Sequence, residues 1–255
     1  MAGNRVGSDQ EAGTADGERV RVVCIVQARM GSTRLPGKAL LPLASKSMTQ
    51  NILERVKRAS RVDEVVLAFP HTGTEADTTF ADLALRCGCG YYRGTGIDEN
   101  DLVGRYLAAA KCFNADIICR VPGDNPCIEA NYIDAAIDEY LRVPYSFYSN
   151  TTAQVGSVAV DGVGAEVFSL SRLQWLDRIT AGSALHREHP HKYFEECQHE
   201  YGNGIRFWNG GAAVRLDVND RADYDFIADI YSHFNHNRFT GEEVLGYLDS
   251  KVSVG

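Results

Sequence analysis

The sequence predicts an α/β protein built on a doubly wound, mostly parallel sheet. Three observations carry the prediction. Short apolar runs alternate with stretches of helical period, the pattern of strand–helix units. The first apolar run, Val20 to Val26, opens into a polar loop with two glycines, and open α/β sheets place ligands at such carboxyl ends of strands. At 255 residues and 44% hydrophobic composition, the chain can bury a full core as one domain.

The elements follow in order. Residues 1–19 are rich in Gly, Asp, Glu and Ala with almost no apolar content, so a disordered extension is expected ahead of a single domain over 20–255. After the first strand, Ser47 caps a helix whose Met48, Ile52, Leu53, Val56 and Ala59 share a face. A second strand covers Glu64 to Phe69, a helix Glu75 to Cys87, and a short third strand Tyr91-Tyr92. Asp98 to Phe113 reads as a helix and Asp116 to Val121 as a fourth strand. Glu129 to Leu141 is helical, Ser146 to Ser149 a strand, and Ser171 to Ile179 a helix. Ile205 to Trp208 and Ala213 to Val218 are expected to pair as strands. A helix from Ala222, capped by Asp220, and a last one from Thr240 to Leu248 close the chain; the latter suits packing or a dimer contact.

Composition narrows the function. A formal net charge of -8 argues against a general nucleic-acid binder, which needs a net basic face. No apolar signal region and no run of 18 apolar residues occur, so neither secretion nor a membrane span is expected. Seven cysteines without disulfide-like spacing fit reduced thiols and a cytoplasmic setting.

Against that acidic background, the loop after the first strand is purely basic. It carries Arg29, Arg34 and Lys38, and no acidic residue lies between Glu18 and Glu54. Gly31 and Gly37 permit positive φ and close backbone approach, and Ser32 and Thr33 add hydroxyls. Backbone amides, guanidinium groups and an ammonium together suit a polyphosphate. A solvated loop turning at Pro36-Gly37 would not explain why cations alone gather here. Neither G-x-x-x-x-G-K-[ST] nor G-x-G-x-x-G is present. At the end of the fourth strand, Arg120-Val121-Pro122-Gly123-Asp124-Asn125-Pro126 aims Asp124 at the same crevice, either as a Mg²⁺ ligand or as a cap for the helix near Glu129. Asp217 alternates with apolar Leu216 and Val218 and so faces away from them. His186, His189, His191 and Cys197 match no structural zinc spacing.

The string from Gln27 to Lys38 resembles the N-terminal signature of cytidylyltransferases that activate acidic sugars. The spore-coat polysaccharide type is most similar, with Kdo and acylneuraminate enzymes as relatives, and the likeness runs to about residue 230. It implies a Rossmann-like nucleotidyltransferase fold with a small inserted β/α lobe on the acceptor side. It further implies CTP and an anionic sugar or phosphonate-like acceptor as partners, Mg²⁺ as cofactor, pyrophosphate as leaving group and a homodimer. Gln27, Ala28, Arg29, Gly31, Ser32, Arg34, Lys38 and Arg120 would bind nucleotide, with Lys38, Arg29, Asp124 and Asp217 catalytic. Asp124 matches R-x-x-G-D-x-P, and Asp217 stands, as D-x-x-D with Asp220, in the stretch corresponding to the D-x-x-x-D segment that holds the second metal carboxylate in the relatives. Asp161 to Phe168 resembles the D-G-x-x-x-E-V-F segment bordering the acceptor, and Arg187-Glu188-His189 the R-E-H element, which puts Glu166, Arg187 and His189 at the acceptor. Three stretches depart from the relatives: Ala44-Ser45-Lys46-Ser47 replaces Gly-Gly-Lys-Pro, Phe69 replaces Thr, and Asp101-Leu102-Val103-Gly104-Arg105-Tyr106 replaces D-V-L-D-R-Y. Two rival classes are a metal-dependent nucleotide-sugar glycosyltransferase, which would want an acidic D-x-D at a strand end, and a non-catalytic nucleotide-binding protein.

Overall fold

The computed structural model describes residues 19–143, 145–197, 205–206 and 211–252. The chain runs through β1 (Val22–Gln27), a hairpin of β2 (Pro42–Leu43) and β3 (Lys46–Ser47), α1 (Met48–Val56) and β4 (Glu64–Pro70). Next come α2 (Glu75–Arg86), β5 (Gly90–Gly94), α3 (Leu102–Cys112), β6 (Ile117–Val121), α4 (Ala130–Arg142) and β7 (Phe147–Ser149). A second hairpin, β8 (Thr152–Val155) and β9 (Val158–Asp161), precedes β10 (Glu166–Ser169) and the helices α5 (Leu170–Ile179), α6 (Ala184–Glu188) and α7 (Pro190–Glu196). The last described elements are β11 (Ile205–Arg206), β12 (Val214–Arg215), α8 (Arg221–Phe234) and α9 (Gly241–Val252).

Among the described residues a seven-stranded sheet has the order β11-β7-β10-β6-β1-β4-β5. β1 lies parallel between β4 and β6, and β5 is parallel to β4, while β10 runs antiparallel to β6 and β7. Side chains on β1 divide by parity, as a strand covered on both faces requires. Val22, Cys24 and Val26 join one core with Ile52, Phe80, Ile133 and Ile227, from α1, α2, α4 and α8. Val23 and Ile25 join the other with Tyr106, Leu173 and Phe194, from α3, α5 and α7. The expected mostly parallel, two-faced sheet is therefore present.

Several caps are as expected. Ser47 Oγ accepts from Gln50 N at 3.2 Å, and Asp220 with Asp223 forms a reciprocal box at the start of α8. Other boundaries moved. The predicted helix from Asp98 starts at Leu102, because the Asp101 carboxylate caps it through Gly104 N at 2.8 Å and Asp98 turns the chain through Asn100 N. The expected pairing of the segments at 205–208 and 213–218 is overturned. Ile205–Arg206 pairs with β7, and Val214–Arg215 pairs with β9 in a separate three-stranded sheet, β12-β9-β8. Trp208 lies outside the described residues, as do residues 1–18 of the expected extension. The β8–β9 hairpin was not predicted, although alternating Ala153 and Val155 ahead of the Gly156-Ser157 turn signals it.

Candidate active site

The strand order changes direction between β1 and β6, and a cleft of 550 Å³ opens at their carboxyl ends. The loops leaving the two strands touch. A Cβ on Gly123 would lie 1.8 Å from Gln27 O, so only glycine lets them approach this closely. The basic loop is closed by Ser32 N and Gly37 N, which both donate to Met30 O, at 2.9 and 3.0 Å. Gly37 takes φ 72°, which admits the single 3₁₀ turn Lys38–Leu40. Gly31 does not use its freedom that way. Its φ is not positive, and the Glu99 carboxylate lies against it.

Lys38 is the hub. Its Nζ donates to Asp124 Oδ2 at 3.0 Å and to Val218 O at 2.6 Å, and Val218 N donates to Asp124 O at 2.8 Å. These bonds bring the segment around Asp217 beside Asp124. Leu216 and Val218 are buried while Asp217 turns into the cleft. Asp217 Oδ2 accepts from Arg215 at 2.8 Å and from the Asn219 amide, whereas its Oδ1 is enclosed with no partner. Asp124 does not cap α4, whose N-cap is Glu129. Arg34 donates to Asn219 Oδ1 at 2.8 Å, and Arg29 to Glu188 at 2.8 Å and to Asn100.

Across the cleft, Arg120 and Glu166 occupy paired positions on β6 and β10 and form a buried ion pair of 2.6 Å. Burial depresses the guanidinium's pKa; the charges of Glu166 and Tyr106 and the hydrogen bonds to them together outweigh it and hold Arg120 above its usual range. His189 and His191 also line the cleft, and burial lowers both, His191 to about 4. Asp161, held by Thr152 Oγ1 at 2.8 Å, is raised by burial and then by the charge of Asp217.

The predicted residues Gln27, Ala28, Arg29, Ser32, Arg34, Lys38, Arg120, Asp124, Glu166, His189 and Asp217 thus border one cleft. Gly31 and Arg187 are not among its lining residues. Arg187 is instead committed to Asp101 and Asp177, at 2.7 and 2.9 Å. Sequence reasoning missed Asp161, Asn219, His191 and Lys192, which the structure adds to the wall. Asn219 could have been suspected from its place two residues after Asp217, and His191 from the histidine group around it, although that group matches no zinc spacing. Among the described residues no three His, Cys, Asp or Glu side chains group as a metal cage, and the seven cysteines are free thiols. No helix there is long and apolar enough to cross a membrane. Among the described residues, of eight enclosed side-chain atoms without a partner, five belong to residues that line the cleft: Gln27 Oε1, Arg120 Nε, Glu166 Oε2, His191 Nδ1 and Asp217 Oδ1.

A parallel sheet whose switch point carries a cation-rich loop opposite carboxylates is the architecture of a nucleotidyltransferase. A CMP:2-keto-3-deoxy-manno-octonic acid synthetase solved with CTP shares the fold, with a TM-score of 0.61 at 17% identity over 84% of this chain and 99% of that one. A cytidylyltransferase from Leptospira borgpetersenii superposes with a TM-score of 0.78 at 31% identity, covering 92% of this chain and 97% of the other. The spore coat polysaccharide biosynthesis protein SpsF of Bacillus subtilis is 26% identical over 219 residues, 82% of this chain and 86% of its own. The cytidylyltransferase family model matches residues 23–239, and the chain belongs to that family.

Proposed function

We propose that residues 20–255 form one catalytic unit that makes a CMP-activated product from CTP and an acidic sugar or related anion, releasing pyrophosphate. The observation that carries this reading is the Lys38 hub, which joins the basic loop to Asp124 and to the backbone beside Asp217. In the reaction the acceptor oxygen attacks the α-phosphorus in line, the bond to the bridging oxygen breaks, and pyrophosphate leaves with that electron pair. Arg29, Arg34 and Lys38 exchange their present partners for the β- and γ-phosphates and meet the charge that grows on the leaving group. Asp124 and Asp217 offer hard carboxylate oxygens, including the partnerless Asp217 Oδ1, and so fit Mg²⁺, which takes one or two carboxylates plus substrate phosphates. Such an ion supplies charge neutralisation at the α-phosphate.

The test is pyrophosphate release from CTP and Mg²⁺ across a panel of anionic sugars, keto acids and phosphonates, with UTP, ATP and GTP as controls. Release that depends on both CTP and an anionic acceptor is expected. A preference for another triphosphate, or no release with any acceptor, overturns the proposal.

A further inference from the structure

A smaller cavity of 210 Å³ lies between the turn of the β2–β3 hairpin and the loop that follows α8. It shares no lining residue with the cleft. Asn235, at φ 56°, ends α8 and starts the loop. Asn237 pins that loop in place. Its amide donates to Asn51 Oδ1 at 3.0 Å and to Glu54 Oε2 at 2.8 Å, and its carbonyl accepts from Arg55 and Arg58 at 2.8 and 2.6 Å. The wall is therefore formed without a ligand.

What the wall presents is donors. Lys46 donates to Glu54 at 2.6 Å and has two protons left. Arg238 and Ser45 are exposed, and among the described residues neither side chain has a partner. His236 Nδ1 accepts from Arg238 N at 3.1 Å, so the ring proton sits on Nε2, which donates even when the ring is uncharged. No carboxylate is among the described residues that line the cavity. The nearby Glu54 is taken up by Lys46, Gln50 and Asn237. Positive charge is left over, since after burial the charges of Arg55 and Arg238 lower the pKa of Arg58. A donor-only pocket of this kind runs against a chain of net charge -8. No Phe, Tyr or Trp lines it, so a nucleobase has no ring to stack on.

We propose that this cavity is a second anion site, one that takes a phosphate group and is separate from the basic loop of the cleft. Donors from two segments of the chain suit a tetrahedral dianion, with Arg238 as a fork and Lys46 as a point charge. A carboxylate brings one charge and two oxygens and leaves donors unmet. A neutral ligand leaves the surplus charge in place, and a cation adds to it.

Calorimetry on the full-length protein without nucleotide, at about pH 8 where phosphate is mostly dianionic, tests this with inorganic phosphate and glycerol phosphate. The basic loop also attracts phosphate, so the titrations are made in a Lys38→Ala background. Binding is expected to persist there and to weaken about 10-fold or more when Arg238→Ala is added, the loss of a charge-assisted hydrogen bond. Arg238 is exposed, so this variant should melt with its parent. The His236 ring resonances, identified by their absence in His236→Ala, should shift along the same saturation curve. Whichever phosphate binds more tightly tells a free anion from a phosphate carried on an organic group, and either supports the site. No binding in the Lys38→Ala background, affinity indifferent to Arg238→Ala, His236 resonances that stay still, or acetate bound as tightly as phosphate would each overturn it.

Discussion

Asp124 accepts from Lys38 through its side chain and from Val218 N through its backbone oxygen, so one residue joins the basic loop to the second acidic segment. A substitution to Asn keeps the backbone bond and the size of the side chain but exchanges a charged ligand for a weaker neutral one. Asp124→Asn and Asp217→Asn are each expected to lower kcat by about 10³-fold or more, some 4 kcal/mol of barrier. Their melting temperatures without ligand should stay within about 3 °C of the parent, since neither carboxylate caps a helix or fills the core. Steady-state kinetics over a Mg²⁺ titration, with thermal melts alongside, gives both quantities. A near-normal rate at ordinary Mg²⁺ removes that residue from the metal site.

Helix α1 is held by its buried apolar face and also by one buried cation. Arg55, 3% exposed, donates to the carbonyl oxygens of Ile128, Asn237, Cys127 and Phe239, and its guanidinium covers the Phe239 ring at 4.7 Å. It thereby ties α1 to the loop before α4 and to the loop between α8 and α9. Arg55→Leu strands those carbonyls and is expected to cost about 3–5 kcal/mol in urea unfolding. Arg55→Lys should recover only part, because an ammonium cannot span the same fan of acceptors; full recovery would show that charge alone matters. The β2–β3 turn gives a change in the opposite direction. Ala44 sits at φ 53°, where relatives carry glycine. Removing its Cβ relieves left-handed strain that exceeds the entropic cost of glycine, so Ala44→Gly should stabilise by about 0.5–1 kcal/mol. A loss of stability in the same unfolding assay would refute that balance.

The pH dependence of the whole molecule's stability follows from groups the fold encloses. His191 titrates near 4 when folded, against an ordinary 6.5, so between those values the unfolded chain binds the extra proton. The contribution of His191 to stability is therefore complete above about pH 6.5 and is lost as the pH drops toward 4, by up to about 3 kcal/mol at ~1.4 per unit. Asp77 acts lower down. Backbone and hydroxyl donors of Thr72, the His71 ring and Gly73 N outweigh burial and hold its carboxyl at about 2, so its contribution is lost progressively as the pH falls from its ordinary 3.8 to about 2. Melts at pH 7 and 4.5 should differ clearly in the parent and much less in His191→Leu. An equal drop in both would show that His191 is not the group responsible.

Read by itself, the sequence determined the α/β class, the buried first strand, the basic loop and the caps at Ser47 and Asp220. These rest on period, charge and side-chain-to-backbone bonds within a few residues, which the local chain contains in full. Arg29, Lys38, Asp124 and Asp217 could be picked out for the same reason, since each sits in a short motif. Tertiary structure alone decided that Val214–Arg215 joins β9, that Arg187 turns to Asp101 and Asp177, and that His191 lines the same cleft as Arg120 and Glu166. Short strands carry too little pattern to choose a partner, and a long cation takes whichever carboxylates the packing brings within reach. Even the Lys38 hub joins positions 86 and 180 residues apart in the chain. Contacts at such separations are set by how the loops leaving β1 and β6 close on each other, and no local pattern encodes that.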